Sequence, residues 1–228
     1  MPIYNAPLTA IDRRETLRYA GLAKKNSFAP ELVETALEEA LLLVMPQSVW
    51  EIYNYNADAQ KILAAHPLRL TGEKIGGHLA ACEKIVVLCA TVGEDIERAV
   101  TEHFARGEYT LAVLLDAAAT AAVEQTADAT EEIIGQTAKK RGLKMRTRFS
   151  PGYGDWPLTE QRSILPLAGG DKIGVTLTES LMLMPRKSIT AVIGLSREPQ
   201  GIAPVTRCAA CNKTDCPSRQ NITQTQNP

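Results

Sequence analysis

The sequence lacks an excess of charge of either sign, since 25 basic residues stand against 26 acidic ones. A chain so close to neutrality has no overall field that would attract nucleic acid or an anionic membrane. It also lacks an apolar stretch near the ~20 residues that cross a bilayer. The residues after Met1 show neither the basic region nor the apolar run of an export signal. We therefore expect a cytoplasmic protein with no nucleic-acid partner and no membrane partner.

The five cysteines do not indicate a disulfide framework, because their number is odd and no export signal precedes them. Three of them, Cys208, Cys211 and Cys216, fall within nine residues near the end. Such a loop could present three thiolates to zinc or an iron–sulfur cluster, with Cys82 or Cys89 as the fourth ligand. Free or redox-reactive thiols are the alternative. Cys89 lies in an apolar strand, where a buried thiol that packs as a small hydrophobe is favoured.

Apolar periodicity predicts a mixed order of helices and strands along the chain. Helices are expected at 12–21, from 30 to Pro46, and at 72–82, 94–107, 109–141 and 158–167. Strands are expected at 48–55, 84–91, 144–149, 171–178 and 188–195. Strands in both halves, uneven connections and no internal repeat favour an α+β fold. We expect one domain over residues 1–199 and a polar, cysteine-containing tail over 200–228 whose end is disordered.

Residues 146–157 have the composition of a ligand-binding loop. Arg148 could hold a carboxylate or phosphate in a two-point fork, and two glycines would let the backbone approach polar ligand atoms. Tyr153 and Trp156 could cover an aromatic ring. The alternative is a tight Pro-Gly turn whose aromatic side chains pack on the core. The three histidines lie on separate predicted elements, so no catalytic triad is expected.

The segment Arg148-Phe-Ser-Pro-Gly-Tyr153 resembles the Arg-Pro-x-Pro-Gly-Tyr segment in the activation domain of cobalamin-dependent methionine synthase. Downstream, Leu177-Thr-Glu-Ser180, Met184-Pro185 and Ser188-Ile-Thr-Ala resemble segments of that domain at comparable spacing. The resemblance is clear over residues 108–199. The chain departs from the family at Gly154-Asp-Trp-Pro157, where relatives have Pro-Ala-Cys-Pro, and it lacks the paired tyrosines that follow in the fused domain.

The resemblance implies a single α+β domain with a twisted, mainly antiparallel sheet, flanking helices and a site for S-adenosylmethionine. Arg148 would bind the ligand's carboxylate, and Glu124 would compensate its ammonium or sulfonium charge. Asp128 shares the helix face of Glu124, and a solvated surface role is its alternative. The residues that would line the ligand or shape its loop are Phe149, Ser150, Pro151, Gly152 and Tyr153.

The function implied is activation of a methionine synthase by reductive remethylation of its cobalamin. Because 228 residues cannot also hold the homocysteine, folate and cobalamin modules, the chain is expected to act in trans on a synthase that lacks its own activation domain. The cobalamin would be carried by that partner, and an electron donor such as flavodoxin or ferredoxin would reduce it. The alternatives are an iron–sulfur electron-transfer protein that activates another corrinoid protein, and a structural subunit whose ligand site has decayed.

Overall fold

Residues 2–21 and 28–197 are described by the computed structural model, and within them nine strands and six α-helices form. The strands are β1 (Tyr4–Asn5), β2 (Gln47–Asn56), β3 (Lys61–Leu63), β4 (Leu68–Arg69), β5 (Lys84–Thr91), β6 (Lys144–Met145), β7 (Thr176–Leu177), β8 (Leu183–Met184) and β9 (Ser188–Ser196). The helices are α1 (Arg13–Tyr19), α2 (Pro30–Leu43), α3 (Glu73–Leu79), α4 (Asp95–Ala105), α5 (Tyr109–Lys140) and α6 (Gln161–Ala168). Two short 3-10 helices cover Leu158–Glu160 and Gly170–Ile173.

Seven of these strands form one sheet in the order β4-β3-β2-β5-β9-β6, with β1 paired to β2. All the pairs among the described strands are antiparallel. In the centre, Leu88 of β5 lies opposite Trp50 of β2 on one side and Ala191 of β9 on the other. Strands β7 and β8 form a separate hairpin. The expectation of an α+β fold with a mainly antiparallel sheet and flanking helices is confirmed.

Strand β5 is buried on both faces, as its run of apolar residues predicts. Ile85, Val87 and Cys89 belong to a core cluster shared with α3 and α6 on one side of the sheet. Val86 and Leu88 pack on the other side, in a cluster shared with α5. Burial of each large aliphatic side chain contributes roughly 1.5–3 kcal/mol. The sheet is therefore held between two helical layers.

Helix α5 lies between the sheet and a second layer of helices. Its buried face is built largely of alanine, which allows close approach of neighbouring elements. A further core cluster joins this face to α1, α2 and α4. The longest of the described helices is therefore central to the fold. None of the helices within the described ranges is both long and apolar enough to cross a membrane.

Local signals set most helix boundaries. The Asp12 carboxylate accepts the Glu15 N–H at 2.9 Å and starts α1, and Pro30 occupies the first turn of α2. The predicted strand at 171–178 is wrong over its first half, where a 3-10 helix forms between Gly169 and Gly174. Both glycines have positive φ, +75° and +70°, so the chain winds into a tight turn instead of extending.

Candidate functional site

The first half of the 146–157 loop is fixed to the edge of the sheet. The Arg146 N–H donates to the Gly194 carbonyl at 2.8 Å, and the backbone N–H and C=O of Phe149 both bond to Val192. Arg148 therefore has a fixed backbone position between two anchored residues. Its own N–H donates to Oε1 of Glu131 on α5, at 3.1 Å.

The second half of the loop is a tight turn closed by its own backbone. The Tyr153 N–H donates to the Ser150 carbonyl at 3.2 Å, and the Gly152 N–H donates to the Trp156 carbonyl at 2.9 Å. Gly152 and Gly154 have φ of +88° and +60°, in the left-handed region where a side chain is strained. The two glycines are therefore needed for the shape of this turn.

Two polar contacts tie the loop to helix α3. The Asp155 carboxylate accepts the Glu73 N–H at 2.7 Å and the Lys74 N–H at 3.1 Å, so it caps the first turn of α3 from a distant segment. In the last turn of α3, Nε2 of His78 lies 2.8 Å from the Thr147 carbonyl. Burial lowers the pKa of His78, so the neutral ring donates this hydrogen bond. The loop is therefore hydrogen-bonded to both the first and the last turn of α3.

The side chain of Arg148 is surrounded by three carboxylates on one face of α5. Its Nη2 lies 2.6 Å from Oε2 of Glu124, and its Nη1 lies 2.6 Å from Oδ1 of Asp128 and 2.9 Å from Oε2 of Glu131. Only 5% of the Arg148 side chain is exposed. Burial opposes the charge, but the three carboxylates outweigh it and raise the pKa of Arg148. We call these four residues the Arg148 cluster.

Helix α1 borders the Arg148 cluster at Glu124. Burial raises the pKa of Tyr19, and the negative charge of Glu124 raises it further. The guanidinium carbon of Arg18 lies 4.0 Å from the centre of the Tyr19 ring. The stacked pair of Arg18 and Tyr19 therefore belongs to the helical layer that packs on α5.

The structure brings some of the predicted site residues together and separates others. Arg148 and Glu124 are in direct contact, and Asp128 joins them. The backbone of Phe149 is engaged in the sheet, and its ring packs near His78. Tyr153 is 61% exposed at the tip of the turn. The proposed ligand contacts of Phe149, Ser150, Pro151, Gly152 and Tyr153 stay predictions.

Trp156 takes the alternative role that the sequence allowed. Its side chain is 1% exposed, belongs to the core cluster beneath α3 and α6, and lies 6.1 Å from the Phe149 ring between centroids. Two aromatic residues of the loop are therefore part of the core, and the loop is held by apolar packing as well as by hydrogen bonds.

Sequence reasoning missed two residues of this site. Glu131 lies seven residues after Glu124 and three after Asp128, a spacing that places all three on one helix face and could have revealed it. Tyr19 lies 105 residues before Glu124, and no local pattern indicates that α1 packs against α5 and brings Tyr19 into the same core cluster.

The downstream segments of the resemblance lie in another part of the fold. Leu177 and Met184 belong to the β7–β8 hairpin, and Met184-Pro185 is a cis peptide bond. Beside it lies a cleft of about 790 Å³ that is also lined by the first turns of α4 and by Arg186. No residue of the Arg148 cluster lines this cleft. The cleft and the cluster are therefore separate places.

The predicted metal ligands Cys208, Cys211 and Cys216 lie outside the described residues. Within residues 2–21 and 28–197, no group of three or more His, Cys, Asp or Glu side chains is placed to hold a metal ion. Cys82 and Cys89 are both buried, and burial raises the pKa of Cys89 to about 12. The interpretation of Cys89 as a packed hydrophobe is confirmed.

No protein-family model matches this sequence, and a search of curated proteins found no match either. Among solved structures, the chain is similar to the MetH reactivation domain bound to AdoHcy, with a TM-score of 0.53 and 13% sequence identity, over 90% of this chain and 82% of that one. A nitroreductase family protein from Streptococcus pneumoniae TIGR4 has a TM-score of 0.35 at 11% identity, over 81% of this chain and 88% of that one, which is too low to support an argument. This chain has the fold of the MetH reactivation domain, as the sequence resemblance predicts.

Proposed function

We propose that the chain binds S-adenosylmethionine at the Arg148 cluster and acts in the cytoplasm as an activation protein for a methionine synthase. The observation that carries the proposal is the 2.6 Å contact between Arg148 and Glu124, which lie 24 residues apart. The resemblance independently assigns these two residues to the surroundings of one ligand. The AdoHcy in the structural neighbour supports a ligand of the same kind.

The charges of the cluster favour the positive end of such a ligand. At neutral pH three carboxylates stand against one guanidinium, so the cluster attracts an ammonium or sulfonium group. A ligand carboxylate at Arg148, which the resemblance implies, requires the guanidinium to release at least one of its present partners. We therefore assign Arg148 a positioning role, in which it orients Glu124 and Asp128 toward the ligand.

The chemistry requires no acid or base from this chain. The ligand would supply its sulfonium methyl group to a reduced cobalt centre on the partner, so that the sulfur–methyl bond breaks as the cobalt–methyl bond forms and the neutral thioether leaves. The protein's contribution is to hold the sulfonium in a fixed orientation and to exclude water. The anchored loop and the buried guanidinium suit that task, because both limit the movement of the ligand's surroundings.

Calorimetry on the full chain tests the binding step. We expect Glu124→Gln to weaken S-adenosylmethionine binding about tenfold, since a charge-assisted contact contributes roughly 1.5–3 kcal/mol. Glu132→Gln is the matched control, because Glu132 lies on α5 but is exposed and outside the cluster. The proposal fails if the parent shows no binding at millimolar ligand, or if both variants bind like the parent.

A comparison of two ligands shows which positive group the carboxylate faces. S-adenosylhomocysteine keeps the ammonium group but has no charge on sulfur. If Glu124 faces the sulfonium, Glu124→Gln weakens S-adenosylmethionine binding more than it weakens S-adenosylhomocysteine binding. If it faces the ammonium, the two losses are equal. A loss seen with neither ligand contradicts the assignment.

The proposed partner is a cobalamin-dependent methionine synthase that lacks its own activation domain, with flavodoxin or ferredoxin as electron donor. Restored turnover of such a synthase, after inactivation to cob(II)alamin, is the expected result when this chain, S-adenosylmethionine and the donor are added together. The iron–sulfur alternative rests on Cys208, Cys211 and Cys216, and iron and sulfide analysis after anaerobic purification separates it. An iron-free chain that still restores turnover excludes that alternative.

A further inference from the structure

His103 occupies an unusual position in the last turn of α4. Its side chain is 10% exposed, and each ring nitrogen faces a carboxylate: Nδ1 lies 2.5 Å from Oε2 of Glu108, and Nε2 lies 2.8 Å from Oε1 of Glu39. An ionised carboxylate can only accept hydrogen bonds, so both nitrogens must carry a proton in this arrangement. The geometry therefore requires the imidazolium form.

We propose that the ion pairs of His103 hold helix α2 against the α4–α5 turn and are lost as the pH rises. Glu39 belongs to α2, His103 to α4, and Glu108 directly precedes α5. The Glu108 N–H also donates to the His103 carbonyl at 2.9 Å, which fixes that carboxylate beside the ring. One protonated ring thus joins three helical segments.

The other charged groups around His103 still favour its imidazolium form. Arg106 lies 4.0 Å from Glu108 and pairs with Glu102 at 2.9 Å. Glu108 is therefore partly shared with Arg106, whereas Glu39 pairs with the His103 ring. Loss of the proton converts one ring nitrogen into an acceptor that faces a carboxylate, so one hydrogen bond is replaced by repulsion.

The direction of the pH dependence follows from the same contacts. Hydrogen bonds to Glu108 and then to Glu39 raise the pKa of His103 against a smaller opposing effect of burial. A histidine whose folded-state pKa is raised contributes its stabilisation fully below the ordinary value of about 6.5. That contribution is lost as the pH rises through the raised value. The His103 ion pairs are therefore formed in mild acid and are lost on the alkaline side.

The device is separate from the proposed ligand site. Glu108 precedes α5 and Glu124 lies sixteen residues further along it, roughly 24 Å away at 1.5 Å per residue. Loss of the His103 ion pairs would leave the proposed S-adenosylmethionine binding unaffected. Loss of S-adenosylmethionine binding would likewise leave these ion pairs unaffected.

Hydrogen exchange of the full chain at pH 6.0 and pH 8.5, corrected for the intrinsic exchange rate, tests the proposal. We expect α2 amides to open about tenfold more often at the higher pH in the parent. In His103→Gln, exchange in α2 should be fast at both pH values. His66→Gln, at an exposed bend, should behave like the parent. Equal α2 protection at both pH values in the parent, or a parental pH dependence in His103→Gln, overturns the proposal.

A second variant protects the test against misfolding of His103→Gln. Glu39→Gln keeps a hydrogen-bond acceptor at the same position but removes the charge. By NMR, the His103 ring should titrate above about 6.5 in the parent and at a lower pH in Glu39→Gln. A titration midpoint of His103 at or below about 6.5 in the parent, or an unchanged midpoint in Glu39→Gln, contradicts the proposed ion pairs.

Discussion

Arg148 joins two segments that lie far apart in the sequence. A guanidinium that is only 5% exposed needs partners for its charge, and α5 supplies three. The backbone N–H of Arg148 also donates to Glu131, so the backbone of the loop and the side chain of Arg148 are held by one helix. The residue therefore supports the loop whether or not a ligand is bound.

Replacement of Arg148 by methionine should lower the free energy of unfolding by about 2 kcal/mol. The reason is that Glu124 and Glu131, both largely buried, lose their countercharge, while the exposed Asp128 is solvated. Urea unfolding at pH 7 measures the effect. Arg14→Met, at an exposed position of α1, should stay within roughly 0.5 kcal/mol of the parent. If the two variants are equally stable, the cluster does not support the fold.

Gly194 shows a steric requirement in the middle of the sheet. A Cβ added there would lie 2.4 Å from Sγ of Cys82 and 2.8 Å from Cδ2 of Leu79. We expect Gly194→Ala to destabilise the protein by about 1–3 kcal/mol, because a fixed strand cannot move away from these atoms. Thermal and urea unfolding measure the loss.

The control for this substitution should change the stability of the protein in the opposite direction. Gly77 lies exposed in α3, and an added Cβ meets nothing within 4 Å. Gly77→Ala should therefore stabilise the protein by roughly 0.5–1 kcal/mol. The double variant Gly194→Ala, Cys82→Ala should recover part of the loss, since the closest atom is removed. No recovery would mean that Leu79 or the backbone causes the strain.

Helix α3 depends on contacts outside its own seven residues. So short a helix is marginal in isolation, and it is held by its buried face and by the Asp155 carboxylate at its first turn. The same carboxylate fixes the Gly154 to Trp156 part of the loop. The helix and the loop therefore stabilise each other, although the loop follows the helix by about 75 residues.

Substitution Asp155→Ala should remove this cap and destabilise the protein by about 1 kcal/mol. Exchange of the Glu73 and Lys74 amides should become faster, because their acceptor is lost. Asp155→Asn keeps an oxygen acceptor and should lose less. Asp58→Ala, at an exposed turn, serves as the control. Unchanged exchange at Glu73 in Asp155→Ala would show that α3 does not need the cap.

Elements with local signals are the part of the fold that the sequence predicts well. The capping aspartate of α1, the first-turn proline of α2 and the long alanine-rich pattern of α5 act within a few residues of themselves. The strand predicted at 171–178 is wrong over its first half because its apolar alternation competes with Gly169 and Gly174. Two left-handed glycines determine the chain direction there, and the pattern of hydrophobicity does not encode them.

Contacts between distant segments are the part that the sequence leaves open. The resemblance names Arg148 and Glu124, but the three-carboxylate arrangement depends on how the loop lies along α5. Likewise, Glu39 and His103 are 64 residues apart, and only the packing of α2 beside α4 brings them together. Such pairs follow from the assembly of the layers, which local periodicity does not specify.

At the scale of the whole molecule, the core of the described residues extends to the last strand, β9. Among the described residues, the last member of the three hydrophobic clusters is Leu195, and β9 ends at Ser196. We therefore predict that a chain ending after Pro199 unfolds with a free energy within about 1 kcal/mol of the full chain. It should also bind S-adenosylmethionine within about threefold of the parent, because the Arg148 cluster lies entirely in the retained part. Urea unfolding and calorimetry measure the two quantities.

Metal analysis of the same pair of proteins tests the cysteine prediction separately. If Cys208, Cys211 and Cys216 hold zinc or an iron–sulfur cluster, the full chain carries metal and the shortened chain does not. The full-length variant with all three cysteines replaced by serine should match the shortened chain in metal content, because thiolates rather than the rest of the tail are the ligands. Equal metal in all three proteins would place the ligands elsewhere. A shortened chain that fails to fold would show that the tail contributes to the core, against the division at residue 199.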